Sequence, residues 1–328
     1  MEHEFFDLTN PQKAIWLTEQ FYKGKNINNV CGTLYIKKAL DFNLFEQSIN
    51  LFIKNNDSVR IKLRLQENGE IKQYFDEYQY IHIDTVNVYS EKDLKQLQNS
   101  VVSEVFNLLD SNLFHFVIFK FPNNNGGVIA NFHHLISDSW SHGILSNQLL
   151  SNYCKLLNNE EIIDNSSYSY KEYISTENDY INSAKFLKDK AYWDNIYSTL
   201  PENATIPASL NSNINSLEAK RLQLNINGST LSEITEYCTS HKITPFNFYM
   251  SIFGLYISRV SNLDDFVIGT PILNRTNYAE KHTTGMFIKT IPFRISLDYN
   301  LRFTDFVSQI AVSSIGMLKH QRYSYQYI

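Results

Sequence analysis

The chain has 328 residues, of which 43% are hydrophobic and 19% charged, and its net charge is −5. This composition excludes disorder as its main character, and scattered charges without a lysine- or arginine-rich block exclude an electrostatic surface for nucleic acid. Three distant cysteines exclude a disulfide scaffold, and no apolar run approaches the about 20 residues of a membrane span. The acidic N-terminus lacks the pattern of a signal peptide, so we expect a soluble, cytoplasmic protein of two domains or one two-lobed unit.

The first third of the chain mixes predicted helices and strands. A helix begins at Pro11, because proline suits the first helical turn and Thr9 or Asn10 can cap it. Hydrophobic periodicity then predicts, in order, a strand at Val30 to Ile36, a helix from Phe42, a strand at Arg60 to Leu65, short strands around Lys72 to Phe75 and Tyr80 to Ile83, and a helix at Leu94 to Leu109.

Two strongly apolar strands follow, at Phe114 to Phe121 and Gly127 to His134. The sequence PNNNGG between them is typical of a hairpin turn, since asparagine and glycine tolerate left-handed backbone. A helix begins near Asp138 and is expected to end at about Leu157.

The second half uses the same elements after a polar, partly helical stretch from Ser166 to Tyr197. Mixed helices and strands without strict alternation favour an α/β fold of two lobes with mixed sheets over a doubly wound sheet. The predicted elements are a loop at Pro201 to Ser216, a strand at Arg221 to Ile226, helices at Leu231 to Ser240 and Pro245 to Val260, the strands FVIGTP and MFIKTIPFRISL, and a helix at Phe303 to His320.

The sequence NFHHLISDSWS, from Asn131 to Ser141, holds the best candidate site. Histidine exchanges protons near neutral pH, and consecutive strand residues face opposite sides, so only one of His133 and His134 is expected to face a cavity. Asp138 stands where a helix N-cap is expected. The alternative is a buried core histidine beside a helix cap. A metal site is disfavoured because no third ligand stands at a suitable spacing. A serine hydrolase is disfavoured because the sequence contains no Gly-x-Ser-x-Gly segment.

This segment resembles the His-His-x-x-x-Asp-Gly signature of condensation domains in nonribosomal peptide synthetases, which are related to chloramphenicol acetyltransferase. HHLISDSWS matches all but the glycine, which is Ser139 here; Asn55 and Lys289 also depart from the family pattern. Other segments that resemble the family occur in its order: LTNPQKAIWLTEQF, NNDSVRIKL, YKEYIS, IGTPILNR, GMFIKTIPFR and HQRYSY.

The resemblance implies two chloramphenicol-acetyltransferase-like lobes that form a V-shaped pseudo-dimer with the active site at their interface. We expect residues 1–175 to form the lobe with the histidine motif and residues 176–328 the second lobe. Family segments begin within ten residues of Met1, which predicts either a position at the start of a synthetase or a sequence shortened at its N-terminus. The last segment falls at His320 to Tyr325, so we expect an incomplete second lobe and a truncated C-terminus.

The implied reaction is amide formation between a donor acyl or peptidyl thioester and the amine of an acceptor aminoacyl thioester. The resemblance assigns catalysis to His134, either as general base or as a donor to the developing oxyanion, and packing of the loop to His133. It makes Asp138 a structural residue that pairs with Arg60. No cofactor or metal is expected to bind directly, because carrier proteins present the substrates as phosphopantetheine thioesters.

The resemblance also implies a substrate channel closed by a bridging loop from the second lobe. Trp140 is expected in the core rather than in contact with substrate. The residues expected at the bridging loop and along the channel are Gly269, Thr270, Pro271, Asn274, Arg275, Gly285 and Phe287.

Three other activities are compatible with the shared fold to different degrees. A stand-alone or initiating acyltransferase with an acyl-CoA donor stays open. An epimerization domain is less favoured because Trp140 precedes Ser141, and a cyclization domain is disfavoured by the two histidines. The expected partners are upstream and downstream carrier proteins and a downstream adenylation domain; we expect a monomer that binds neither nucleic acid nor membrane.

Overall fold

A computed structural model describes residues 3–162, 168–202, 204, 217 and 221–328. The chain divides into two compact units. Unit 1 comprises Met1–Ser183 and Leu273–Lys289, and unit 2 comprises Ala184–Ile272 and Thr290–Ile328. The predicted division into residues 1–175 and 176–328 does not include the return of Leu273–Lys289 to unit 1.

Helices and strands alternate irregularly along both units. The helices are α1 (Asn10–Phe21), α2 (Phe42–Asn55), α3 (Glu91–Val102), α4 (Ser139–Leu157), α5 (Tyr170–Ile181), α6 (Ala184–Ile196), α7 (Gly228–Ser240), α8 (Pro245–Ser261), α9 (Tyr278–His282) and α10 (Phe303–Lys319). The strands are β1 (Phe6–Asp7), β2 (Asn29–Ile36), β3 (Ile61–Leu65), β4 (Ile71–Phe75), β5 (Thr85–Asn87), β6 (Phe114–Lys120), β7 (Gly126–His133), β8 (Asp265–Ile272) and β9 (Lys289–Ser296). Residue 175 lies inside α5, which belongs to unit 1 as one helix.

The strands form separate sheets of mixed direction. In unit 1, β1, β4 and β3 form an antiparallel sheet in that order. A four-stranded sheet has the order β2-β7-β6-β5, in which only the pairing of β5 with β6 is parallel. Strands β8 and β9 pair in a two-stranded sheet. This arrangement agrees with the predicted mixed sheets.

The predicted hairpin is present between β6 and β7. Phe114 lies opposite Phe132, and Lys120 lies opposite Gly126. Asn124 in the turn has a φ of 61°, in the left-handed region that asparagine tolerates. The hairpin places β7 in the interior of its sheet, where every residue of the strand is buried.

The core of unit 1 includes packed side chains from α2 and α4. Phe45, Ile49 and Phe52 recur at helical spacing on α2 and are at most 1% exposed. Leu145 and Leu149 lie one helical turn apart on α4 and join the same hydrophobic cluster. These two helices contact each other, and α4 begins at Ser139, shortly after β7 ends at His133.

Two predicted strands, at Tyr80 to Ile83 and at Arg221 to Ile226, are wrong, and backbone contacts explain the first. At Ile81, the Asn50 side chain accepts from the backbone N–H at 2.9 Å and donates to the carbonyl at 2.9 Å, so an amide side chain replaces a neighbouring strand. The strand nearest to this segment in the chain is β5, which begins at Thr85. The segment at Arg221 to Ile226 forms no strand, and Leu222 and Leu224 on it are over 90% exposed.

Two further expectations concern element ends and loops. The helix predicted to continue to Leu109 ends at Val102, where Ser103 donates its backbone N–H to Asn99 O at 3.1 Å. Most of the predicted loop from Pro201 to Ser216 lies outside the described residues, as does part of the predicted polar stretch from Ser166. In the described ranges, no helix combines the length and apolar character needed to cross a membrane.

We expect Gly127→Ala to lower the free energy of unfolding by about 1–3 kcal/mol, because strain from added atoms in a packed interior has that magnitude. A Cβ at Gly127 would lie 1.8 Å from Leu34 O on the adjacent strand. Denaturant unfolding followed by circular dichroism measures the effect. Gly143→Ala on α4 is the matched control, since its Cβ would meet no atom within 4 Å. Equal stabilities of the two variants would contradict this close approach of β2 and β7.

Candidate active site

The two histidines of the motif lie at the end of β7 and differ in exposure. His133 is the last strand residue and is 3% exposed, whereas His134 is half-buried. The His133 Nε2 atom lies 3.1 Å from Glu19 Oε1 on α1, and its Nδ1 accepts a hydrogen bond from Leu135 N–H at 3.2 Å. His133 is therefore held inside unit 1, and His134 is the histidine that can meet a ligand.

The ring of His134 is oriented by its own loop. Its Nδ1 lies 2.8 Å from the carbonyl oxygen of Ser137, which can only accept a hydrogen bond. The geometry therefore assigns the proton of the neutral ring to Nδ1 and leaves a lone pair on Nε2. The backbone N–H of His134 donates to Asn28 O at 2.8 Å, so main chain and ring are both fixed.

Asp138 is completely buried and caps α4. Its Oδ1 accepts hydrogen bonds at 2.9 Å from both the backbone N–H and the hydroxyl of Ser141. Its Oδ2 accepts from the backbone N–H groups of Phe287 and Ile288 at 3.2 and 3.3 Å. A buried carboxylate needs such donors because desolvation penalises its charge. The same carboxylate thus connects the start of α4 to the returning segment Leu273–Lys289.

Arg275 supplies the positive charge that neutralises Asp138. Its Nη1 donates to Asp138 Oδ2 at 2.6 Å, its Nη2 reaches Oδ1 at 3.2 Å, and both side chains are fully buried. The guanidinium also lies 4.0 Å from the centre of the Phe287 ring and donates to Glu280 O. A two-pronged pair of this kind fixes geometry as well as charge. Arg275 is therefore a buried structural partner of Asp138, and its place at a bridging loop or channel stays a prediction.

The predicted pairing of Asp138 with Arg60 is wrong. Arg60 instead donates to the carbonyl oxygens of Ile53 and Lys54, both at 2.6 Å, and to Asp76 O at 3.1 Å. It therefore satisfies carbonyl groups at the C-terminal end of α2, where a cation is favourable. Burial lowers the pKa of Arg60, although the charges of Asp57 and Asp76 oppose that shift.

Gly285 allows the returning segment to pass close to α5. It has a φ of 141°, and a Cβ there would lie 2.3 Å from the Tyr170 ring. Its backbone N–H donates to the Ser141 hydroxyl oxygen at 3.0 Å, and its carbonyl oxygen lies 3.1 Å from that oxygen and shares the single hydroxyl proton with Asp138 Oδ1. The Tyr170 hydroxyl donates to Met286 O at 2.8 Å, and burial raises its pKa well above the ordinary value. Gly285 is thus a packing position.

The other residues expected along the channel lie in two places: Phe287 and Asn274 in unit 1, and Gly269, Thr270 and Pro271 in unit 2. Phe287 is fully buried with its ring centre 4.2 Å from that of Tyr173, and Asn274 is buried with its amide on Phe287 O at 3.1 Å. The expected bridging loop is instead part of strand β8 in unit 2, with Thr270 buried. The role of Gly269, Thr270 and Pro271 in a channel stays a prediction.

A cavity of about 740 Å³ lies beside the motif in unit 1. Trp140 lines it and is 42% exposed, so its expected place in the core is wrong; its Nε1 donates to Lys281 O at 2.9 Å. Ser139 also lines it as the first residue of α4 and is not among the residues with positive φ, so serine causes no backbone strain there. The remaining lining residues are Gly143, Ile144, Asn147, Gln148, Tyr168, Lys281 and His282.

Sequence reasoning missed two residues that hold the motif in place: Ser141 at its end, and Glu19 outside it. Ser141 links Asp138 to Gly285, and its position three residues after a capping aspartate was the available signal. Glu19 follows Gln12 and Ile15 at helical spacing, which places all three on one face of α1.

Within the described ranges, no group of three or more histidine, cysteine, aspartate or glutamate side chains is arranged to hold a metal ion.

Comparison with known proteins gives consistent matches. The family model described as Condensation domain matches residues 2–328. Surfactin synthase subunit 1 of Bacillus subtilis (strain 168) is 34% identical over 331 residues, which cover 99% of this chain but 9% of that protein. The chain therefore spans only a small part of the length of this curated relative.

Solved structures match the fold of the whole chain. The first condensation domain of the calcium-dependent antibiotic synthetase, in complex with a substrate analogue, has a TM-score of 0.83 at 16% identity, covering 98% of this chain and 76% of that one. The starter condensation domain of rhizomide synthetase, as a variant in complex with C8-CoA, has a TM-score of 0.82 at 20% identity, covering 98% and 73%. These similarities confirm the predicted mixed α/β fold.

We expect Arg275→Met to lower the free energy of unfolding by about 3–5 kcal/mol, because it leaves the Asp138 charge buried without its partner. Denaturant unfolding measures this loss. The double variant with Asp138→Asn should be more stable than Arg275→Met alone, since it removes the uncompensated charge. Lys190→Met, at the half-exposed pair with Asp194, is the control and should remain close to wild type. A similar loss for Lys190→Met and Arg275→Met would contradict the assigned role of Arg275.

Proposed function

The chain belongs to the condensation-domain family, whose reaction is amide bond formation by acyl transfer, and from this membership we propose a specific reaction for it. It joins the acyl group of a donor thioester to the amine of an acceptor aminoacyl thioester, with both substrates carried by carrier proteins. The observation that carries this proposal is the geometry of His134, whose Nδ1–H is committed to Ser137 O while Nε2 keeps its lone pair.

The proposed reaction needs one proton to move while two bonds exchange. The acceptor amine attacks the thioester carbonyl carbon, which forms the C–N bond and a tetrahedral intermediate. His134 Nε2 accepts the proton that the attacking nitrogen loses, and the C–S bond breaks as the carbonyl re-forms. The thiolate leaving group then takes a proton from the imidazolium, which returns His134 to its neutral state.

The hydrogen bond to Ser137 supports the general-base role over a purely electrostatic one. A neutral imidazole with its proton on Nδ1 can only accept at Nε2, and it becomes a donor there only after the proton transfer. Delivery of both substrates on tethers adds to the rate, because it replaces an encounter in solution by a local one. Asp138 contributes by holding the turn and is distant from proton transfer in this scheme, since Arg275 and backbone N–H groups occupy its oxygens.

The proposal extends to the partners that supply the substrates. Upstream and downstream carrier proteins present the thioesters on phosphopantetheine arms, and an adenylation domain downstream loads the acceptor. The phosphopantetheine belongs to the carriers, so the chain itself needs no resident cofactor. The similarity to a synthase subunit of which this chain matches 9% supports a role as one domain among several.

A second candidate function is an initiating reaction with an acyl-CoA donor. The observation that favours it is the similarity to the starter condensation domain of rhizomide synthetase, whose structure holds C8-CoA. The chemistry at His134 would be unchanged, because coenzyme A and a carrier protein both present an acyl thioester. The two candidates differ only in what carries the donor.

We expect His134→Ala to lower the rate of amide formation about 100- to 10,000-fold, the usual contribution of a positioned general base. The measurement is the rate of product formation by mass spectrometry with loaded donor and acceptor carrier proteins. His82→Ala is the matched control, because the side chain of His82 is 82% exposed and lies outside the motif. Equal rates for wild type and His134→Ala would overturn the proposed function.

The donor carrier is determined by a competition in a second assay. With a loaded acceptor carrier protein, equal concentrations of an acyl carrier-protein thioester and an acyl-CoA carrying isotopically distinct chains are supplied together. We expect product mainly from the carrier-protein donor. A dominant product from the acyl-CoA would instead establish the initiating reaction, whereas the His134 dependence would be the same in both cases.

A further inference from the structure

A buried carboxylate that the proposed mechanism does not use lies directly behind the histidine pair. Glu19 on α1 is 6% exposed. Its Oε1 accepts a hydrogen bond from the side-chain amide of Asn28 at 2.5 Å and lies 3.1 Å from His133 Nε2. A carboxylate in the interior is costly unless donors satisfy it, so this placement requires a reason.

The contacts of His133 determine where its ring carries a proton. Leu135 N–H donates to Nδ1 at 3.2 Å, so Nδ1 must hold a lone pair. The proton of the neutral ring is then on Nε2 and is donated to Glu19. Burial alone would raise the pKa of Glu19, but the hydrogen bonds from His133 and Asn28 outweigh it and lower the pKa. Glu19 is therefore ionised at neutral pH and accepts the Nε2–H of the His133 tautomer that the Leu135 N–H also favours.

The same carboxylate acts on the peptide groups on both sides of His134. On one side, it holds the Asn28 side chain, and the Asn28 carbonyl oxygen accepts the His134 N–H at 2.8 Å. On the other side, it orients His133, whose Nδ1 accepts the N–H of Leu135. The main chain of His134 is thus fixed between two groups that share Glu19 as their common partner.

We propose that Glu19 is a positioning residue for His134, acting through His133 and Asn28. This inference rests on the proposed function, because it concerns the residue assigned to proton transfer there. Glu19 touches no substrate in this scheme. It keeps the His134 peptide in the orientation from which Nε2 reaches the acceptor nitrogen, and small displacements of such a group reduce rates strongly.

The test compares Glu19→Ala and Glu19→Gln in the whole protein with loaded carrier proteins. Glu19→Ala should lower kcat about 10- to 100-fold and change the KM of either substrate less than about twofold, the range seen for outer residues that orient a reacting group. Glu19→Gln should recover most of kcat, because an amide oxygen accepts the same two hydrogen bonds. Asp189→Asn is the matched control: Asp189 is also buried and bound to a histidine, His320, but lies in unit 2, so kcat should stay near wild type.

A spectroscopic measurement separates this inference from the proposed function. The ¹⁵N shift of the donating Nε2 of His133 should be alike in wild type and Glu19→Gln and should move in Glu19→Ala, because the hydrogen bond to the carboxylate is lost there. A folded Glu19→Ala variant with wild-type kcat, or with the wild-type Nε2 shift of His133, would overturn the positioning role. If wild type forms no amide that depends on His134, the proposed function fails, while the ¹⁵N measurement still decides whether Glu19 holds the His133 ring.

Discussion

The buried pair of Asp138 and Arg275 is the interaction on which the site depends. Neither charge is stable in the interior alone, so each requires the other and the backbone donors around them. Asp138 lies at the end of the loop after β7 and caps α4, and its contacts with Arg275 fix the returning segment Leu273–Lys289. His134 lies four residues before this anchor, and its ring is hydrogen-bonded to the residue that precedes Asp138. His134 therefore lies on a loop whose C-terminal end cannot move without exposing a buried charge or leaving it without its partner.

A second layer of polar contacts closes the other side of the motif. Gln12 on α1 is fully buried, donates to Leu135 O at 2.9 Å and pairs with Gln73 of β4. Glu19, on the same helix, is hydrogen-bonded to His133. Helix α1 therefore serves less as hydrophobic packing than as a row of polar side chains that fixes the loop after β7. Buried polar networks of this kind define one geometry, because any shift leaves a donor or acceptor unsatisfied.

Sequence patterns predicted the elements that neighbouring residues determine. They failed where a residue far along the chain determines a contact or an exposure. The hairpin at PNNNGG, the cap at Asp138 and the helix after it follow from turn and capping chemistry. The partner of Asp138 could not be read from spacing, since Arg275 is 137 residues away and a nearer family arginine was available. The exposure of Trp140 could not be predicted from its residue type either, because it results from a cavity beside the side chain. Similarly, an amide side chain prevents a strand at Ile81.

The return of Leu273–Lys289 to unit 1 has a consequence for recombination among related domains. A crossover placed after Ser183, which looks like a natural junction along the chain, would separate Asp138 from its native arginine and Tyr170 from its native Gly285. Chimeras that exchange the first compact unit would need to carry this internal segment with it as a second insert. The first compact unit is therefore discontinuous in sequence, and exchanging it intact requires that Asp138 and Arg275 be exchanged together.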